Sequence, residues 1–179
     1  MAGAPDDMQI LYGVTGVRRL EESELPWLPG YEKSAPVRIG NAAAKQFQLD
    51  VYGEVMDTLH LARAAGLPPE PEAWKVQVEL LGFLQSHWQS PDEGLWEIRG
   101  PRRHFTHSKV MAWVAFDRAI KDAEQDALTG PVDEWRRVRA QIHAEDCAQA
   151  FDGRRNSFVQ TYGSAHLYAS LLLIPHVGL

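Results

Sequence analysis

One acidic residue of this chain stands in a setting that suits a proton donor. Glu97 follows Trp96 in the loop segment Asp92-Glu-Gly-Leu-Trp-Glu-Ile-Arg-Gly. Cleavage of a glycosidic bond requires a carboxylic acid that protonates the leaving oxygen. An apolar neighbour such as Trp96 favours the protonated form because it desolvates the charged one, and an indole also stacks on the apolar face of a sugar. An arbitrary Trp-Glu pair is more often structural, so the pair alone leaves both interpretations open.

Other reactive side chains follow close behind this segment. His104 and His107 form His-x-x-His, a spacing that binds zinc in other proteins, but no adjacent carboxylate or cysteine completes a ligand set. We therefore expect no metal and no cofactor. Lys109 lies near the start of an apolar stretch, where a buried ammonium needs a partner, so we expect it to reach the substrate site or an acid such as Asp50 or Glu54. The chain has neither a Gly-x-Ser-x-Gly nucleophile motif nor a phosphate-binding glycine loop.

The first forty residues, which precede the helical part, read as non-helical. A hairpin of short strands is predicted around Thr15-Gly16, since glycine permits the positive φ of a tight turn. Several prolines then exclude regular structure and leave an extended loop that carries Trp27.

Residues 41–179 are predicted to form helices in pairs, with polar caps or proline at the starts and glycine or proline after the ends. The predicted helices run from Asn41 to Gly66, from about Pro71, from Thr106 to about Glu124, from Pro131, and from about Ser164. The third is apolar nearly all round at its start, which is typical of a helix buried on all sides. This repetition predicts a mainly α fold of helical hairpins, either a solenoid or an α/α toroid.

The composition is that of a globular protein with no electrostatic case for nucleic acid or an anionic membrane. The chain has 179 residues, 45% of them hydrophobic, and a formal net charge of −6. Cys147, the single cysteine, is predicted to be a small buried hydrophobe rather than a nucleophile. No signal-peptide pattern and no apolar run near the roughly 20 residues of a membrane span occur, so a cytoplasmic location is expected.

Several segments, in the same order along the chain, resemble the bacterial branch of glycoside hydrolase family 15, which includes glucoamylases, glucodextranases and some trehalases. They are Met8-Gln-Ile-Leu-Tyr-Gly-Val, Leu25-Pro-Trp-Leu-Pro-Gly-Tyr, Val37-Arg-Ile-Gly-Asn-Ala-Ala, Gln48-Leu-Asp-Val-Tyr-Gly-Glu-Val, Gly94-Leu-Trp-Glu-Ile-Arg-Gly, Arg103-His-Phe-Thr-His-Ser-Lys-Val-Met-Ala-Trp and Ser170-Leu-Leu-Leu-Ile-Pro. The resemblance implies a partial (α/α)6 toroid. Residues 1–179 would form a central part of the catalytic domain, with a hairpin and loop in residues 1–40 and helical hairpins in residues 41–179.

The resemblance also implies an activity, the inverting hydrolysis of α-glucosidic bonds, and residues that carry it. Glu97 takes the place of the general acid, and Trp96 lines the sugar site nearest the cleaved bond. Arg38 and Asn41 fall in a loop that faces the bound glucose in the family, and Trp27 helps to wall the same pocket. Arg38 is equally suited to pair with a nearby carboxylate, and helix capping alone would explain Asn41.

One departure from the fungal glucoamylase pattern bears on the substrate. Those enzymes carry a second acid directly after the catalytic one, whereas this chain has Ile98 and Arg99. Contacts beyond the cleaved bond are therefore expected to differ. Trehalose or a short α-glucoside becomes at least as well favoured as starch.

The mechanism implied by the resemblance needs groups that this sequence does not contain. An inverting glycosidase uses two carboxylates roughly 6.5–9.5 Å apart, and in the family the base lies far downstream, while an upstream Arg-Asp segment grips the glucose. We therefore expect the chain alone to be inactive or nearly so. A non-catalytic carbohydrate-binding or scaffolding module, or half of a split enzyme, are the alternatives. A partial toroid exposes apolar helix faces, which favours association with the remainder of the toroid or self-association.

Overall fold

The computed structural model describes residue 5, residues 8–97 and residues 100–179, and in these the fold is mainly helical, as predicted. The α-helices are α1 (Asp50–Ala64), α2 (Pro71–His87), α3 (Thr106–Gln125), α4 (Val132–Gln149) and the short α5 (Ile174–Val177). Two antiparallel strand pairs accompany them, β1 (Ser23–Glu24) with β2 (Arg38–Ile39) and β3 (Phe151–Asp152) with β4 (Ser157–Phe158). No helix in the described ranges is long and apolar enough to cross a membrane.

The ends of the long helices follow from local chemistry that the sequence displays. Pro71 occupies the first turn of α2, where its missing N–H is not needed, and the Glu70 side chain accepts a hydrogen bond of 2.9 Å from the Ala73 N–H. Gly66, with φ of 96°, ends the turn after α1. The predictions of α1 to α4 are thus confirmed, although the first is interrupted. Residues 42–45 form a separate 3-10 turn ahead of α1.

The four long helices alternate in direction. Contacts between α1 and α3 advance together along both helices, which are therefore parallel: Gly53 with Met111, Asp57 with Arg118, and Arg63 with Asp122. Contacts within each consecutive pair run in opposite directions: Tyr52 with Phe83 and Arg63 with Gln77 between α1 and α2, and Asp117 with Arg139 and Glu124 with Arg136 between α3 and α4. Two antiparallel hairpins side by side are consistent with part of a helical toroid.

Helix α3 is the centre of the core. Every residue from Phe105 to Ile120 is buried, which confirms the helix that the sequence predicts to be enclosed on all sides. Helix α1 packs along one side of α3 and α4 along another. Trp74 of α2 meets Trp135 of α4 edge to face, at 6.0 Å between ring centroids, and closes the core beside them.

Two expectations for regular structure are corrected in detail. The chain does turn at Gly16, where the Gly13 N–H donates to the Val17 carbonyl over 2.8 Å, but the paired strands of the N-terminal region are β1 and β2. The fifth helix does not begin at Ser164. A 3-10 turn over Ala169–Leu173 leads into α5, and Pro175 fits only the first turn of an α-helix.

The prediction that Cys147 is buried is wrong, because its thiol is exposed. The inward positions of α4 are Trp135, Val138 and Ile142, and the next position four residues on is Asp146. Cys147 lies one residue further, on the solvent side.

The close approach of α1 to α3 depends on Gly53, and substitution there tests it. A Cβ on Gly53 would lie 2.2 Å from the Met111 carbonyl oxygen, whereas a Cβ on Gly82 of α2 would meet nothing within 4 Å. Gly53→Ala is expected to lower the free energy of unfolding by about 2 kcal/mol, since the helices must separate. Gly82→Ala is expected to raise it by up to about 1 kcal/mol. Urea denaturation of both variants measures this, and equal effects would contradict the packing.

Candidate active site

The segment between α2 and α3, residues 88–103, is called here the acid loop because Glu97 lies near its tip. Its two ends pair at an isolated antiparallel bridge, in which the N–H groups of Asp92 and Arg103 each donate to the other residue's carbonyl over 2.9 Å. Leu95 to Glu97 follow in turn conformation. Ile98 and Arg99, the residues that depart from the fungal pattern, lie outside the described residues.

The stem of the acid loop, which comprises residues 88–93 and 102–103, is tied to the segment that leads into α1. The Leu49 N–H donates to Asp92 Oδ2 over 3.0 Å, and the Phe47 N–H donates to Glu93 Oε2 over 2.8 Å. The Glu93 N–H returns a bond of 3.0 Å to the Phe47 carbonyl. Arg102 forms an ion pair of 2.9 Å with the same Glu93 carboxylate. The loop therefore has a fixed base from which its tip projects.

Glu97 meets Asn41, which is the one contact that the structure describes between two predicted site residues. Asn41 Nδ2 donates to Glu97 Oε2 at 3.5 Å, and the two side chains line a pocket of about 100 Å³ with Ala42, Ala43 and Gln46. Asn41 Oδ1 accepts from the Ala43 N–H over 2.9 Å. Asn41 is therefore both a cap of the turn at residues 42–45 and a neighbour of the acid.

The apolar enclosure expected around Glu97 is not formed by the described residues. Glu97 is exposed, and its φ of 52° places its backbone in the left-handed region. Trp96 is 58% exposed and packs edge to face against Tyr168, with 6.1 Å between ring centroids. The pair therefore stands at an open surface of this chain.

Arg38 and Trp27 lie in the N-terminal part, and the structure does not place either against Glu97. Arg38 of β2 forms ion pairs of 3.3 Å with Glu22 and with Glu24, so the carboxylate pairing weighed for it does occur. Trp27 lies in the loop between the strands and is 72% exposed. Their roles toward a sugar stay predictions.

Lys109 bonds to neither Asp50 nor Glu54, so the pairing expected with those acids is wrong, while its expected role toward the substrate stays a prediction. Its side chain is completely buried, and Nζ donates to the backbone carbonyls of Trp88 and Ser90, the latter over 2.7 Å. Burial lowers its pKa to about 8. Two of the three N–H donors of the ammonium are thus bonded to the stem of the acid loop.

Buried acids near this stem are the site feature that sequence reasoning missed. Burial raises the pKa of Asp146 and of Asp50 to about 7, and it raises the pKa of Asp92 as well. Tyr162 donates to Asp146 Oδ1 over 2.8 Å, and its own pKa is raised by burial and by that carboxylate. Asp146 was detectable, since it falls on the inward period of α4. Asp92 carries no such signal.

His104 and His107, the His-x-x-His pair, both pack within the fold. The ring of His104 stacks on Tyr162 with 5.5 Å between centroids. Burial lowers the pKa of His107 to about 4, so it is neutral at physiological pH. Within the ranges described, no group of three or more His, Cys, Asp or Glu side chains is placed to hold a metal.

The raised pKa of Asp146 predicts a pH dependence of stability. The folded chain keeps a proton on Asp146 up to a pH of about 7, while the unfolded chain releases it near pH 4. The folded state thus binds more protons in this window, and the free energy of unfolding falls as pH rises through it. Asp146→Asn removes this contribution, so its stability should fall less between pH 4 and 7, by about 1.4 kcal/mol for each unit of pKa shift.

Urea denaturation at several pH values measures the difference. Asp133→Asn, at an exposed position in the first turn of the same helix, is the matched control. Parallel stability profiles for wild type and Asp146→Asn would contradict a proton held on Asp146.

Comparisons with known proteins give one family and a set of similar trehalases. The model of glycosyl hydrolases family 15 matches residues 1–179. The chain is 42% identical over 168 residues to a trehalase of Mycobacterium tuberculosis, covering 93% of this chain and 24% of that protein. It is 42% identical over 172 residues to a trehalase of Mycolicibacterium smegmatis, covering 96% and 25%, and 36% identical over 171 residues to a trehalase of Thermoplasma acidophilum, covering 96% and 29%.

No solved structure matches the chain significantly. The chain spans about a quarter of the length of the curated relatives that it matches. Because the family model covers all 179 residues, this chain belongs to glycoside hydrolase family 15.

Proposed function

We propose that this chain is the acid-bearing part of an inverting α-glucoside hydrolase whose substrate is trehalose or a short α-glucoside. Glu97 protonates the leaving oxygen. The base that activates water comes from a part of the enzyme outside these 179 residues.

The observation that carries the proposal is the meeting of Glu97 with Asn41. These residues come from segments 56 positions apart, and the family resemblance assigns both to the sugar site. The Asn41 amide donates toward one carboxyl oxygen, which favours one orientation of the acid beside the pocket that both residues line. The tied stem of the acid loop gives this arrangement a rigid support, as proton transfer requires.

The proposed reaction balances with two carboxyl groups. Glu97 gives its proton to the glycosidic oxygen as the bond from that oxygen to the anomeric carbon breaks. The base takes a proton from water, whose oxygen bonds to the anomeric carbon from the opposite face, so the configuration inverts. Glu97 must start protonated, and we assign the missing desolvation to bound sugar and to the remainder of the toroid closing over Trp96 and Glu97.

The substrate assignment rests on relatives and on the exposed side chains around the acid. The three relatives described above are trehalases. Trp96 and Trp27 offer broad apolar faces suited to sugar rings. Arg38 keeps 40% of its side chain exposed while paired with Glu22 and Glu24, so some of its five donors stay free for hydroxyl groups.

An exposed apolar surface near the end of the chain is suited to association with further protein. Apolar side chains near the end of the chain are exposed, among them Phe151, Leu167 and Leu172, the last by 78%. They line or flank a groove of about 650 Å³ that runs beside α5. In the proposed enzyme this groove packs against the remainder of the toroid.

The chain on its own is expected to release no glucose from trehalose or maltose, because it holds one carboxylate of a mechanism that needs two. A coupled glucose assay on the purified chain checks this. Turnover in the ordinary range for enzymes, about 1 to 1000 per second, would show that the base lies within these residues.

Glu97→Gln tests the acid in a complete enzyme. The host is the trehalase of Mycolicibacterium smegmatis with its matching region, 42% identical over 172 residues, replaced by this chain. The variant should lower kcat on trehalose at least about 100-fold, the usual contribution of a general acid. It should lower the rate on α-glucosyl fluoride far less, since fluoride leaves without a proton.

Glu79→Gln provides the matched control, because Glu79 is an exposed glutamate on α2 outside the acid loop. It should leave both rates unchanged. Normal trehalose turnover by Glu97→Gln would remove Glu97 from the mechanism.

A further inference from the structure

Lys109 is a charged residue with no exposed surface, and two of its three N–H donors bond to the acid loop. It lies in the first turns of α3 and reaches across to the carbonyls of Trp88 and Ser90, which follow the last residue of α2. Carbonyls at a helix C-terminus lack partners within the helix and carry the negative end of its dipole. The ammonium therefore occupies a position that favours a cation.

Burial of this charge has to be offset, and the surroundings supply the means. An isolated buried ammonium is strongly unfavourable because it loses its hydration. The two carbonyls accept hydrogen bonds from it, and Asp92, Glu145 and Asp146 favour its charged form electrostatically when they are ionised. The bonds that the ammonium makes join the acid loop to α3.

What depends on them is the stem of the acid loop. Ser90 lies two residues before Asp92, whose carboxylate accepts from the Leu49 N–H and whose backbone pairs with Arg103. Lys109 thus ties the stem to α3, while Asp92 ties it to the start of α1. Removal of the ammonium would leave two carbonyls without donors and free one side of the stem.

We propose that Lys109 is a positioning residue: its ammonium fixes the stem of the acid loop against α3 and so sets the position of Glu97. The inference rests on the proposed role of Glu97 as the acid. It also replaces the expectation that Lys109 binds substrate, since a fully buried Nζ bonded to two carbonyls has no face to offer a sugar.

The first test uses the 179-residue chain and hydrogen exchange. Lys109→Met keeps the unbranched side chain out to the Cε position and removes its donors, and Lys121→Met, at an exposed position near the C-terminal end of the same helix, is the matched control. The reporters are the amides of Asp92, Glu93 and Arg103, which bond to carbonyls of the loop and of Phe47. Their exchange should quicken at least tenfold relative to α3 amides in Lys109→Met and not in Lys121→Met. Unchanged protection would overturn the proposal.

If Lys109→Met does not fold, hydrogen exchange of the wild-type chain tests the same proposal. In low denaturant, a fixed stem exchanges the three reporter amides only together with the amides of α3, because the loop cannot open alone. Exchange through a separate, easier opening would contradict the proposal.

The second test separates positioning from general loss of structure. In the trehalase chimera, Lys109→Met should lower kcat on trehalose at least tenfold and leave KM within about twofold. The rate on α-glucosyl fluoride, which needs no acid, should change little. Equal losses on both substrates would assign Lys109 a merely structural role.

The two proposals fail in different ways. Normal trehalose turnover by Glu97→Gln would refute the acid, whatever the exchange data say. Loss of the acid-dependent rate in Glu97→Gln, with trehalose turnover and loop exchange both intact in Lys109→Met, would refute the positioning role alone.

Discussion

A helix enclosed on every side can hold a charge only where a neighbour supplies its partner, and this condition organises the fold around α3. Each charged residue inside that helix is joined to a different part of the chain or to several. Lys109 bonds to the acid loop, Asp117 pairs with Arg139 of α4, Arg118 pairs with Asp57 of α1 and bonds to the Val177 carbonyl of α5, and Asp122 pairs with Arg63 and His60 of α1. Since an unpaired buried charge is costly, these pairs fix which elements surround α3.

The long helices were predictable because their signals are local. Apolar residues at helical spacing, Pro71, Gly66 and the apolar start of α3 all act within one or two turns of chain. The prediction was less accurate where contacts between distant parts of the chain determine the structure. β1 pairs with β2 across a loop of thirteen residues, and no local sequence signal near either strand identifies its partner. Cys147 was misplaced by one position, because the period of α4 has to be known to a single residue before an inward Asp146 is distinguished from an outward cysteine.

In the candidate site, too, local features were predicted from the sequence and long-range contacts were not. The loop that carries Trp96 and Glu97 was located from its sequence, and the resemblance to the family supplied the role that is proposed for Glu97. The supports of that loop were not foreseen, because Glu93 and Asp92 reach residues more than forty positions away. Arg38 had two interpretations that residue type alone cannot separate, and the structure adds the ion pairs. Enclosure of the acid also lay beyond prediction from this chain, since both members of the pair stand at its surface.

Asn41 uses its two side-chain atoms for different purposes, and this distinguishes what the fold needs from what the site needs. Its oxygen caps the turn at residues 42–45, whereas its nitrogen faces Glu97. Aspartate and serine cap helical turns about as well as asparagine, so capping accounts for the oxygen and not for the nitrogen. Exchange of that one atom for oxygen would keep the architecture and remove the N–H donor that faces Glu97. At this position, one atom of a single amide serves the fold and the other is available to the proposed chemistry.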